Sequence, residues 1–152
     1  MFGRRKVRDW LPGFAEEVLA FARSLPPDVR WTFERNGHGF DFVIDPPTDR
    51  HRRLVISASR SQIEFELGKI WTEGLNPERE VLQNLLAACD AVRDGRVREV
   101  RDLDTGVLWH VYRFKTRGLN RFLRDSEYSF WHSFHRRVRK AKTQRLPPLR
   151  RA

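Results

Sequence analysis

Cysteine is nearly absent: Cys89 is the only one in 152 residues. That excludes an internal disulfide, a cysteine-built zinc finger and an iron–sulfur centre. Lysine is also scarce, 5 residues against 25 arginines. Arginine suits bidentate phosphate and carboxylate contacts, but GC-rich coding yields the same ratio and takes precedence as its explanation. No apolar run approaches the roughly 18 residues of a membrane-spanning helix. The opening MFGRRKVRDWLPGF has basic residues but no apolar core, so no secretory signal is expected and the cytoplasm is the default location. There is no Gly-rich phosphate loop, no Gly-x-Ser-x-Gly, no internal repeat and no βαβ pattern.

What is present fits one folded domain. Apolar residues make up 39% and charged residues 33%, with 5 Trp and 11 Phe to build a core. The net charge of +10 is unevenly placed. Residues 1–8 carry four basic side chains, and residues 117–152 carry eleven basic and two acidic ones. The intervening body is slightly acidic. The organisation expected is a basic arm over 1–8, one domain over 9–142, and a basic Pro-containing tail over 143–152.

Periodicity predicts a helix over 12–25, with Phe14, Val18, Phe21, Ala22 and Leu25 on one face. Four alternating runs follow: VRWTFER, FDFVID, LVISAS and QIEFELG. Each has one apolar and one polar face, as an antiparallel sheet covered on one side requires. A second helix over 77–93 is capped by Asn76, with Pro77 at its first position and Gly95 beyond its end. Runs around 97–103 and 107–115 form a hairpin across Asp104-Thr105-Gly106. Residues 126–142 read as a helix, though 127–134 also alternate like a strand. The fold class is therefore α+β, an antiparallel sheet with helices packed on one face, in the order α-β-β-β-β-α-β-β-(α). Both helices are expected on the face of Phe33, Phe40, Phe42, Ile56, Phe65 and Leu67.

Chemical motifs are few. Asp104-Thr105-Gly106 is the triplet of aspartic proteases, but that chemistry needs two such aspartates, and the triplet makes an ordinary hairpin turn. Asp102 and Asp104 follow a charged strand, unlike a buried nucleophile. Asp41, Asp45, Glu64 and Glu66 share the polar phase of neighbouring strands. The lysine that accompanies such carboxylates in metal-dependent nucleases is missing, so a solvated face with Arg30, Arg53 and Glu34 as cross-strand partners is expected and no metal or cofactor. His132 and His135 share a helical face but lack further ligands, with His110 unplaced. Cys89 lies on an apolar stripe and reads as packing. The last third holds the densest charge: Arg136, Arg137, Arg139, Lys140 and Lys142 beside Trp131 and Phe134, a candidate surface for nucleic acid or another anion.

The run Val55–Gly68, with Trp71, the Asn76-Pro77 helix and the Asp-Thr-Gly hairpin through Trp109-His110, resembles small bacterial α+β proteins of the immunity type, encoded beside polymorphic toxins. The likeness covers residues 52–114. It implies no catalytic signature and a partner, a toxin, occluded by a matched surface. Candidate contacts are Trp71 with Asp41, Asp45, Glu64 and Glu66, tryptophan being a favoured hot-spot residue. The basic C-terminal segment departs from the acidic surfaces of proteins that block nucleases. The alternative is a nucleic-acid-binding protein using its two basic ends.

Overall fold

In the computed structural model the described residues are 10–103, 108–112, 121–124 and 141–149, with 70–73, 108–112, 121–124 and 141 described at the backbone level. Helix α1 (Trp10–Arg23) leads into strands β1 (Trp31–Arg35), β2 (Gly39–Ile44), β3 (Leu54–Ser59), β4 (Ile63–Leu67) and β5 (Ile70–Leu75). Helix α2 (Arg79–Asp94) follows, then β6 (Val97–Asp102), β7 (Leu108–Tyr112), β8 (Arg121–Arg124) and β9 (Ala141–Arg145). The fold is α+β. An antiparallel five-stranded sheet runs in the order β1-β2-β3-β4-β5, and a four-stranded sheet in the order β8-β7-β6-β9.

The alternation in sequence sets the larger sheet. Phe33, Phe42, Ile56 and Phe65 stand opposite one another across β1 to β4. Phe40, Ala58 and Ile63 form the next row, and Ile44, Leu54 and Leu67 the one beyond. Every one of these except the edge residue Phe33 is buried. The stripe of α1 (Phe14, Val18, Phe21, Ala22) and that of α2 (Leu85, Ala88, Cys89, Val92) join them in a single core. Both helices therefore lie on one face of this sheet. Aromatic rings lock α1 down: Phe14 tilts against Phe40 at 5.9 Å, and Phe21 meets Phe42 edge-on at 6.3 Å.

Three local readings are corrected. A fifth strand, β5, fills what the sequence left as a connection, entering through Gly68 at φ +60°. The N-cap of α2 is Glu78, in extended conformation and without a side-chain cap bond, so Asn76 and Pro77 precede the helix. At the other end Gly95 does close α2, in the left-handed region at φ 71°. The third correction concerns the C-terminus. Residues 141–145 are an edge strand paired with β6, so Lys142 lies in a strand and not in a helix. Nor is 143–152 simply a tail: Leu146 and Leu149 are buried in the main core. Residues 126–140, the rest of the expected last helix, lie outside the described residues.

The C-terminal segment is tied down along its length. The Leu146 amide donates to the Val97 carbonyl (2.9 Å) and the Leu149 amide to the Arg93 carbonyl (3.0 Å). Arg145 Nε donates to the Gly95 carbonyl at 2.8 Å, and His51 Nε2 donates to the Pro148 carbonyl at 3.0 Å. The two sheets are joined by a bidentate pair: Arg52 Nε and Nη2 donate to Glu99 Oε2 and Oε1 at 2.9 and 3.2 Å. That contact holds the Arg52 guanidinium charged even more firmly than usual.

Candidate functional site

The polar phase of β1 to β4 forms the sheet face turned away from the helices. Register places Glu34 beside Asp41, Asp41 beside Ser57, and Ser57 beside Glu64, a single row across four strands. In the adjoining row Glu66 stands beside Val55 on one side and Trp71 on the other. Of the four carboxylates expected to share a surface, Asp41, Glu64 and Glu66 are thus brought together. Asp45 sits just past the end of β2, remote from the Asn36–Gly39 turn, where its amide donates to the Arg30 carbonyl. Trp71 is placed by register alone.

The row has a built end. Asn36 Oδ1 accepts from the amides of His38 (2.9 Å) and Gly39 (2.8 Å), fixing the β1–β2 turn. Gly39 is needed there, because a Cβ would run into the Ala58 carbonyl oxygen of β3. Beneath this turn lies an open hollow of about 340 Å³ bordered by His38, Asp41, Ser57, Ser59, Gln62 and Glu64. Ser57 Oγ donates to Asp41 Oδ1 at 2.7 Å, and Asn36 Nδ2 reaches Asp41 Oδ2 at 3.5 Å. These bonds orient the Asp41 carboxylate.

Among the described residues no cation pairs with Glu34, Asp41, Glu64 or Glu66. Three arginines of the body spend their charge elsewhere: Arg35 on Glu16 of α1 (3.1 Å), Arg52 on Glu99, and Arg93 on Asp90 and Asp94. Glu34, expected on this polar face only as a cross-strand partner, stands directly beside Asp41 and joins the row.

No group of three or more His, Cys, Asp or Glu side chains among the described residues is arranged to hold a metal ion. Cys89 is fully buried, and burial pushes its thiol up, away from the reactive thiolate. Arg136, Arg137, Arg139, Lys140, His132, His135 and the Asp104-Thr105-Gly106 turn lie outside the described residues. The two strands flanking that turn do pair as an antiparallel hairpin, Arg101 opposite Leu108. Lys142 is exposed on β9 opposite Arg101, and Arg145 is opposite Arg98, so β6 and β9 carry two cross-strand cation pairs, three residues apart and therefore on opposite faces of the sheet. No helix among the described residues is long and apolar enough to cross a membrane. No protein-family model matches the chain, and no curated protein or solved structure proves similar to it.

Proposed function

We propose that this protein works by binding and not by catalysis, docking a cationic surface of a protein partner on the acidic outer face of β1 to β4. The observation that carries the reading is the row Glu34, Asp41, Ser57, Glu64 with Glu66 beside it, carboxylates that no cation among the described residues pairs with, in a chain of net charge +10. Opposite charge across an interface steers encounter and fixes register. The finer reading is an immunity-type protein of a bacterial toxin system, acting in the cytoplasm by occluding a toxin's active site, with Trp71 as an apolar anchor beside Glu66.

The product of the gene immediately upstream, purified with this chain, supplies the test. Glu64→Lys and Glu66→Lys are expected to weaken that complex by about 100-fold or more, since each reversal puts like charges in contact. Unchanged affinity in both variants would defeat the reading.

A second reading rests on β6 and β9. Arg98 faces Arg145 on one side of the sheet and Arg101 faces Lys142 on the other. Like charges directly opposite each other are destabilising, and an anion between them removes that cost. A nucleic-acid phosphate seated at either pair is the matching ligand. Submicromolar affinity for duplex DNA at about 150 mM salt, where screening acts over roughly 8 Å, would favour this reading over the first.

A further inference from the structure

We propose that two copies of the chain join edge to edge through β1, extending the five-stranded sheet across a two-fold axis at Phe33. Among the described residues β1 is hydrogen-bonded on one side only, to β2. The bonds that bracket it define which backbone groups are left over. The Asn36 amide donates to the Gly39 carbonyl, and the Arg30 carbonyl accepts from the Asp45 amide. In an antiparallel ladder alternate residues face the partner strand. Residues 30, 32, 34 and 36 therefore turn their backbone groups to β2, and Trp31, Phe33 and Arg35 turn theirs to the open edge.

That outward set is self-complementary. With Phe33 opposite Phe33 of the second copy, Trp31 falls opposite Arg35 and Arg35 opposite Trp31. All three pairings join outward-facing residues, giving about six new backbone hydrogen bonds. On the helix-side face, two phenylalanines meet at the centre with a Trp–Arg pair on each side. Arg35 already lies over an aromatic ring, 5.4 Å from the Phe33 centroid. Its bridge to Glu16 is exposed at both ends, so exchanging it costs little. On the outer face Thr32 falls opposite Glu34, where a hydroxyl donates to a carboxylate. Charged side chains protect an edge when pairing would set like charges together; this register sets none together. Trp31 and Phe33 are half-buried against the core, and the second copy would cover what remains exposed.

Thr32 provides a test that leaves the core untouched, because its side chain is exposed on the outer face. Sedimentation equilibrium of the 18.1 kDa chain should show a dimer. Thr32→Glu, which sets two glutamate pairs across the axis, should raise the dimer dissociation constant about tenfold. Thr32→Lys, which faces Glu34, should leave it unchanged or lower it. A wild-type monomer throughout the micromolar range would overturn the proposal, as would a dimer on which the two substitutions act alike. The outcome is independent of any toxin or nucleic acid, since only this chain is in the cell.

Discussion

Glycine positions separate into those that the fold demands and those that it merely tolerates. Gly39 brings β2 against β3, and any Cβ meets backbone at Ala58, which has no means of moving aside. Gly95 combines φ +71° with Pro148 at 2.9 Å from the added carbon. Gly13, within α1, has nothing within 4 Å. Gly39→Ala should therefore cost at least about 1–3 kcal/mol in chemical denaturation, the order of overpacking a core. Gly13→Ala should raise stability by about 0.5–1 kcal/mol by restricting the unfolded chain. Cys89 offers a second residue-scale test. Its thiol is harder to ionise folded than unfolded, because burial penalises the thiolate. A group whose folded value is raised keeps its full contribution below the ordinary thiol value and loses it as pH rises beyond. Stability should fall above about pH 8.5 with a slope approaching 1.4 kcal/mol per unit, and Cys89→Ala should remove that slope. Urea midpoints at pH 8 and pH 10 for both proteins check this.

At the scale of elements, the legible parts were those whose burial leaves a period in the sequence. Strands β2, β3 and β4 alternate buried and more accessible residues without a break, and their apolar phase located both the core and the carboxylates on the opposite face. The Gly95 cap was equally visible. Strand β5, IWTEGL, was not, because Gly74 at φ +69° and a register shift against β4 interrupt its alternation. Strand β9, AKTQR, offers no apolar phase at all: residues 142–145 are all exposed, and its place is set by backbone pairing with β6. A signal did exist just beyond it. The two leucines around Pro147-Pro148 are the residues that enter the core. Composition alone made that segment look like a tail, because Arg145 and Arg150 outweigh two leucines in any average. Leu149→Ala should consequently cost about 2–5 kcal/mol, as for a buried leucine elsewhere. A guanidinium titration that leaves the midpoint of Leu149→Ala unmoved would contradict the docked arrangement. Deleting the segment is thus a test of folding, and the role of its charges is better probed by substitution.

Across the whole molecule, charge is sorted onto separate surfaces. The outer face of β1 to β4 is acidic, while β6 and β9 carry Arg98 with Arg145 on one face and Arg101 with Lys142 on the other. A chain of net charge +10 attracts polyanions at low salt whatever its function, so weak binding to DNA decides nothing. The dependence on salt does, because each phosphate contact contributes about 0.9 to the log–log slope on duplex DNA. Lys142→Gln with Arg145→Gln should reduce the magnitude of that slope by about 1.8 if both side chains engage phosphate. Both are exposed on an edge strand and Gln keeps the backbone pairing; Arg145→Gln gives up the bond to the Gly95 carbonyl, a loss of about 1 kcal/mol that the fold should survive. Glu64→Lys acts on a different sheet and should leave this difference in slope intact, because it adds charge away from β9. The same pair of variants should behave in the opposite way towards a cationic protein. There Glu64→Lys should slow association and weaken the complex, whereas loss of Lys142 and Arg145 should speed association slightly by lowering the repulsion between two positive molecules. Stopped-flow rates at two ionic strengths would separate the cases. A rate that responds to β9 and not to Glu64 would place the working surface on the smaller sheet, and the acidic row would then be only a solvated face.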